Sequence, residues 1–269
     1  MTDSVSPEMR VRIEAELSRI ETEEDVTILF AIESGSRAWG FHSPDSDYDV
    51  RFVYLRPVDW HLSLTPGRDV IERPLDDELD ISGWDLRKTL NLLNQGNAVA
   101  GEWLCSPIVY RRRDEVDDLA DLATRVLQRK PAAWHYVNLL ERQWRRVWGP
   151  AGEVRLKKLF YTIRPALALR WMRLHDRAAP PMHMGGLIAA CALDPVTERA
   201  IGALTELKRI RPEDGLADGL DPCLAALVEA EAEAARSWLE ANRASSVPEA
   251  LVAEAEALHV RLTRAASPS

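Results

Sequence analysis

A chain of 269 residues with 34 basic and 43 acidic side chains, 46% hydrophobic and 29% charged, has the composition of a folded soluble protein. Its formal net charge of −9 excludes a protein that coats nucleic acid or an anionic membrane by global charge alone. The length favours two modest domains over one, because single cores stop growing near this size.

The amino terminus lacks the apolar stretch of a signal peptide, and no run approaches the roughly 18 apolar residues of a membrane span, so a cytoplasmic protein with no membrane association is expected. Ser6 before Pro7 is a capping side chain followed by a proline at the first helical position, and Ile13, Leu17 and Ile20 then recur at helical spacing. The apolar, β-branched run from Val26 to Glu33 predicts a buried strand that stops at Ser34-Gly35-Ser36, and a second strand runs from Tyr48 to Leu55. After the turn Thr65-Pro66-Gly67 come a short strand near Val70, another from Glu78 to Ser82, and a helix from about Asp85 to Gln95 closed by Gly96. A further helix, an extended piece from Pro107 to Tyr110 and a helix from about Asp114 to Gln128 complete the first half.

Beyond Pro131 the texture changes. Trp134, Val137, Leu140, Trp144 and Val147 recur at steps of three and four, as do Leu156, Phe160, Ile163, Leu167 and Trp171. Gly215, Gly219 and Pro222 interrupt a helical run, and two last helices span Pro222 to Asn242 and Pro248 to Arg264. The expected division is therefore a mixed α+β unit over 1–130 and an all-helical unit over 131–269. Cys105, Cys191 and Cys223 lack any C-x-x-C spacing and predict reduced thiols, and the six histidines show no metal-ligand spacing.

Chemistry concentrates between the first two strands, in GSRAWGFHSPDSDYDVR. Gly35-Ser36 sits at a strand-to-helix turn, where a glycine allows close backbone approach and free N–H groups suit an anion such as phosphate. Asp47 and Asp49, two apart on a strand, point to one side, and paired carboxylates suit a hard cation such as Mg²⁺. Asp80 lies between Leu79 and Ile81 in a later strand, an acidic residue where a buried strand favours an apolar one. Asp85 rivals Asp80 as third carboxylate, but a helix cap is its simpler use. No P-loop, G-x-G-x-x-G turn or G-x-S-x-G elbow is present, which disfavours ATPases of the P-loop class, Rossmann dehydrogenases and serine hydrolases.

Gly35-Ser36, Asp47-x-Asp49 and Leu79-Asp80-Ile81 together resemble the signature of the polymerase-β-like nucleotidyltransferase superfamily. The longer wording, with GWDLRK at 83–88, EWLCSPIVY at 102–110 and KKLFYTIRPALALRW at 157–171, is similar to its RNA-ligase-associated (RNA repair) subgroup. The resemblance implies a catalytic domain over 1–130, a small mixed sheet flanked by helices, followed by a helical nucleotide- and acceptor-binding domain over 131–269. It implies that Asp47, Asp49 and Asp80 hold two Mg²⁺ ions, with Mn²⁺ as a substitute, while Gly35 and Ser36 grip the β- and γ-phosphates. An acceptor hydroxyl would attack the α-phosphate in line and release pyrophosphate; clustering mutually repelling carboxylates makes physical sense around such cations. Arg37 and Arg51 are read either as further nucleotide-binding residues or as surface ion pairs.

Lys157, Tyr161 and Arg164, spaced i, i+4, i+7, share one helix face. The assignment is Lys157 or Lys158 to the triphosphate, Tyr161 to base or sugar and Arg164 to phosphate or acceptor RNA, against the simpler reading of a solvated face. The subgroup resemblance makes ATP the default donor, an RNA 3′ end the acceptor and an RNA ligase a functional associate. The alternatives are transfer to a protein side chain or to a small molecule such as an antibiotic, and a catalytically silent nucleotide-binding module. The charge is unevenly spread: Lys130 to Arg177 carries eleven basic against three acidic residues, and Pro212 to Leu258 two against eleven.

Overall fold

The computed structural model describes residues 5–65, 67–74, 78–243 and 246–266. Pro66, the centre of the expected Thr65-Pro66-Gly67 turn, lies outside them. Helix α1 (Pro7–Glu24) begins as its sequence dictates, the Ser6 hydroxyl accepting the Met9 N–H and Pro7 occupying the first turn, and it buries Met9, Ile13, Leu17 and Ile20. Strand β1 (Thr27–Glu33), helix α2 (Gly35–Trp39), strand β2 (Tyr48–Leu55), helix α3 (Val58–Leu62), and strands β3 (Val70–Glu72) and β4 (Leu79–Asp85) follow. Next come α4 (Leu86–Asn94), α5 (Ala98–Leu104), β5 (Val109–Arg112) and α6 (Val116–Val126). The second half holds α7 (Arg129–Trp144), β6 (Val154–Arg155), α8 (Leu156–His175), α9 (Met184–Ala190), α10 (Pro195–Ile210), β7 (Leu216–Ala217), α11 (Pro222–Ala241) and α12 (Glu249–Ala266).

The main sheet is mixed, in the order β3-β4-β2-β1-β5, with β2 and β4 parallel and the other pairs antiparallel. This is the expected α+β architecture, a small sheet flanked by helices and followed by helical structure. Strand β4 is longer than the predicted Glu78–Ser82: it continues through Gly83, where the Phe52 ring fills the space a side chain would take, 2.3 Å from where a Cβ would lie. Helix α1 covers one sheet face over Ile28, Val50, Phe52 and Ile81. Helices α4, α5 and α6 cover the other over Leu29, Val53 and Leu55.

The expected 131–269 unit needs one correction. Helix α12 packs on α4, α6 and β2, its Ala255, Leu258 and Leu262 completing the core under the sheet. A one-sided apolar stripe must find an apolar partner, and here that partner belongs to the first half. The remaining helices α7, α8, α9, α10 and α11 build their own core, which reaches across to Phe41 and Ala98. Among the described residues no helix is long and apolar enough to cross a membrane.

Candidate active site

The parallel register of β2 and β4 sets Asp49 directly beside Asp80. Neighbouring strands lie about 4.8 Å apart, so two carboxylates on adjacent strands converge on one cation-sized space. The Arg51 guanidinium sits in that space, donating to Asp49 Oδ1 at 3.2 Å and Asp80 Oδ2 at 2.7 Å. Asp47, one residue before β2, is exposed at the mouth of the same group. Burial, with the Asp80 and Asp47 charges, holds the Asp49 carboxyl above its ordinary value against the opposing pull of Arg51 and Lys157.

Gly35 makes this placement possible. Its φ of +59° lies in the left-handed region, and a Cβ there would stand 1.9 Å from Asp49 Oδ2. The glycine of the turn is thus required by close approach of the carboxylate, and Ser34 N–H donates to the Asp49 carbonyl at 2.7 Å to fix the two strands' ends. Ser36 is buried in the first turn of α2. An all-oxygen donor set of Asp47, Asp49 and Asp80, with a cation seated between two of them, fits Mg²⁺ or Mn²⁺.

The two arginines of the loop and of β2 take different places. Arg37 is not a surface residue: it is 8% exposed, donates to the Asp47 carbonyl at 3.2 Å and the Ser46 carbonyl at 2.5 Å, and lies over the Tyr48 ring at 3.8 Å. It holds the loop that carries Asp47. Arg51 is an ion-pair residue of the site itself, with an 18% exposed side chain.

Across the cleft, α8 presents Tyr161 and Lys157. The Tyr161 hydroxyl is pushed far above its ordinary value by burial first and then by the nearby charges of Asp49, Glu213 and Asp47. Lys157 pairs with Glu213 at 2.8 Å. Lys158 is half-buried, and burial together with Lys157, Arg146 and Arg155 lowers its pKa, which marks a local basic cluster. Arg164 is not on that surface. It is 1% exposed, paired with Glu102 at 2.8 Å, donating to the Met182 carbonyl and lying over Trp39 at 4.5 Å. The predicted role for Arg164 in holding phosphate or RNA is replaced by one of joining α8 to α5 and α2. Pro165, next to it, lies within α8 and leaves the Tyr161 carbonyl without its helical donor.

Two contacts that no sequence pattern announces tie the site together. Asp45 accepts the Glu213 N–H at 2.8 Å, fastening the aspartate loop to the helical half. Glu33, fully buried at the end of β1, accepts the Asp49 N–H at 3.0 Å and the Tyr110 hydroxyl at 2.5 Å. A charged residue closing an apolar strand just before the Gly-Ser turn was the available signal. A groove of about 640 Å³ lined by Arg12, Arg37, Asp45, Asp47 and Tyr48 opens on the α1 side of the loop.

Glu33 gives a pH-dependent prediction. Burial raises its carboxyl from 4.5 to about 7, despite the Tyr110 and Asp49 hydrogen bonds that favour the charged form. Below pH 4.5 the group is protonated in both the folded and unfolded chain and has no net effect. Between 4.5 and 7 the unfolded chain loses a proton that the folded chain keeps, so stability falls as pH rises, by about 3 kcal/mol in full. In the metal-free protein, Glu33→Gln is expected to remove this fall; melting curves at pH 5 and pH 8 with equal slopes for both proteins contradict it.

Residues 9–259 match the profile of the family described as RlaP, RNA repair pathway DNA polymerase beta family. The chain belongs to that family. Its polymerase-β-type nucleotidyltransferase character therefore covers the aspartate loop, both paired strands and α8 together. The RlaP-family chain is 43% identical over 202 residues to a Bacillus subtilis (strain 168) protein, "Uncharacterized protein YcgL", spanning 75% of this chain and 77% of the relative. It is also similar to a solved structure, a nucleotidyltransferase-like protein from Exiguobacterium sibiricum 255-15, at 13% identity and a TM-score of 0.29, covering 85% of this chain and 75% of that one.

Proposed function

We propose that the protein is a template-independent nucleotidyltransferase that moves a nucleoside monophosphate from an NTP, ATP by default, to the 3′-hydroxyl of RNA. The observation that carries this reading is the register pairing of Asp49 with Asp80, with Asp47 at their mouth and Gly35 giving Asp49 its room. Asp47, Asp49 and Asp80 would hold two Mg²⁺ ions. Bound there, the metal supplies Lewis-acid stabilisation of attacking and leaving oxygens. The chain's own residues do the rest. The α2 turn at Gly35-Ser36 offers backbone N–H groups to phosphate oxygens. Lys157 exchanges its Glu213 partner for the triphosphate, and Tyr161 packs against base or sugar beside Trp39, whose ring lies 5.0 Å away. Arg51 orders the two carboxylates until the cation arrives.

The basic cluster next to this cleft supports an RNA acceptor. Arg146 and Arg155 are exposed and close to Lys158, and the adjoining Trp148 is 41% exposed with Trp144 edge-on at 4.8 Å. Cations beside an open aromatic ring fit a single-stranded backbone and a stacked base. The test presents α-labelled ATP, CTP, GTP and UTP with RNA, DNA, protein and aminoglycoside acceptors. Label on RNA bearing a 3′-hydroxyl is expected, with binding weakened and its salt slope reduced by about 0.7 per lost phosphate contact in Arg146→Ala/Arg155→Ala. Label on protein or on the small molecule, and none on RNA, overturns this acceptor. The family resemblance further supports an RNA ligase as functional associate.

A further inference from the structure

A second group of ligand-type side chains lies at the other end of β4, away from the aspartates. His61 of α3, Asp85 at the end of β4 and His259 of α12 bring one ligand atom each within 4.8 Å of one another. Asp80 and Asp85 are five residues apart, about 16 Å along a strand, so this is a separate place. The two imidazole rings meet edge to face with centroids 5.1 Å apart.

What marks the group is unmet hydrogen-bonding capacity. Asp85 is 0% exposed; its Oδ1 caps α4 by accepting the Arg87 N–H at 2.8 Å, but buried Oδ2 has no partner. Both ring nitrogens of His61 and Nε2 of His259 are likewise buried and unpartnered. The Arg56 backbone approaches both His61 and Asp85 and interacts weakly with each, without a well-formed hydrogen bond to any of these atoms. Three ligand-type side chains grouped within 4.8 Å, each carrying a buried polar atom without a well-formed hydrogen bond, depart from the rule that buried polar groups are satisfied, unless something binds there.

We propose that His61, Asp85 and His259 bind one Zn²⁺ ion that fastens α12 to α3 and to the β4–α4 junction. Two imidazole nitrogens and one carboxylate oxygen match zinc's donor preference and leave a fourth position for water, whereas Mg²⁺ prefers an all-oxygen set. A tetrahedral set requires ligand atoms about 3.4 Å apart, so the side chains close by at most about 1.4 Å on binding. The ion is structural, because α12 covers the sheet core through Ala255, Leu258 and Leu262 and comes from the far end of the chain, where the ion ties it to elements of the first half. Sequence spacing gave no hint, since the three residues come from elements separated by up to almost 200 positions.

The experiment strips the full-length protein with a chelator and titrates it with Co²⁺ as a spectroscopic probe, then with Zn²⁺. One equivalent of Co²⁺ is expected to give the visible absorption of a four-coordinate ion, displaced by Zn²⁺, and Zn²⁺ is expected to raise the melting temperature by several degrees. Asp85→Asn keeps the helix cap, and both it and His259→Ala are expected to weaken binding at least about 100-fold and remove the band. His259→Cys is expected to keep the ion and add a thiolate charge-transfer band, a gain that misfolding does not produce. Asp47→Asn/Asp49→Asn is expected to leave the band in place. No visible band in the wild type overturns the proposal, meaning that water satisfies these atoms, and so does a band that survives His259→Ala but disappears in Asp47→Asn/Asp49→Asn.

Discussion

Asp49→Asn is expected to lower nucleotidyl transfer by at least about 1,000-fold, or about 4 kcal/mol of transition-state stabilisation, without lowering the melting temperature. The two halves of this result have one cause. Asp49 is held beside Asp80 by register, and burial with the Asp80 and Asp47 charges makes its ionised form unfavourable in the metal-free chain. Asparagine has the same shape, removes that repulsion and leaves Gly35's close approach undisturbed. It also removes the charge that a cation and its bound phosphates require. A folded variant with transfer within tenfold of wild type contradicts the assignment.

Glu102→Ala is expected to destabilise the protein by about 3–5 kcal/mol. The Glu102 and Arg164 side chains are 9% and 2% exposed, and Glu102 Oε1 also accepts the Tyr136 hydroxyl at 2.6 Å. Alanine leaves a buried guanidinium with only the Met182 carbonyl and the Trp39 face, and leaves the Tyr136 hydroxyl unpaired. The paired replacement Glu102→Leu/Arg164→Met is expected to recover most of the loss, because an apolar pair of similar volume carries no stranded charge. Denaturant unfolding measures both. A loss below about 1 kcal/mol for Glu102→Ala shows that this pair does not join the halves.

The aspartate site was legible because short-range rules cover it. The two-residue spacing of Asp47 and Asp49 at the start of β2 predicts that they share one side, the Gly35 turn is punctuation that any buried strand end displays, and Asp80 stands out as a charge between Leu79 and Ile81. Arg164 was misplaced for a physical reason. Seven residues bring it back to the face of Lys157, but also about 10 Å deeper along the helix, where Glu102 and Trp39 arrive from elements whose position no local pattern encodes. Helix α12 shows the same limit: its apolar stripe predicts burial, while the choice of the sheet core as partner depends on long-range topology. Glu33 and the histidine pair depend on similar long-range meetings, with Tyr110 in one case and Asp85 in the other.

The central claim, that these three carboxylates carry metal-dependent transfer to an RNA 3′ end, is tested most directly by one measurement. Wild-type protein, Mg²⁺ and ATP labelled in the α-phosphate are incubated with an RNA ending in a 3′-hydroxyl and with the same RNA ending in a 3′-phosphate, and label and pyrophosphate are counted together. The account predicts label on the hydroxyl-ended RNA alone, one pyrophosphate for each label, and neither in Asp49→Asn. Equal labelling of both RNAs, or pyrophosphate released at the wild-type rate by Asp49→Asn, contradicts it.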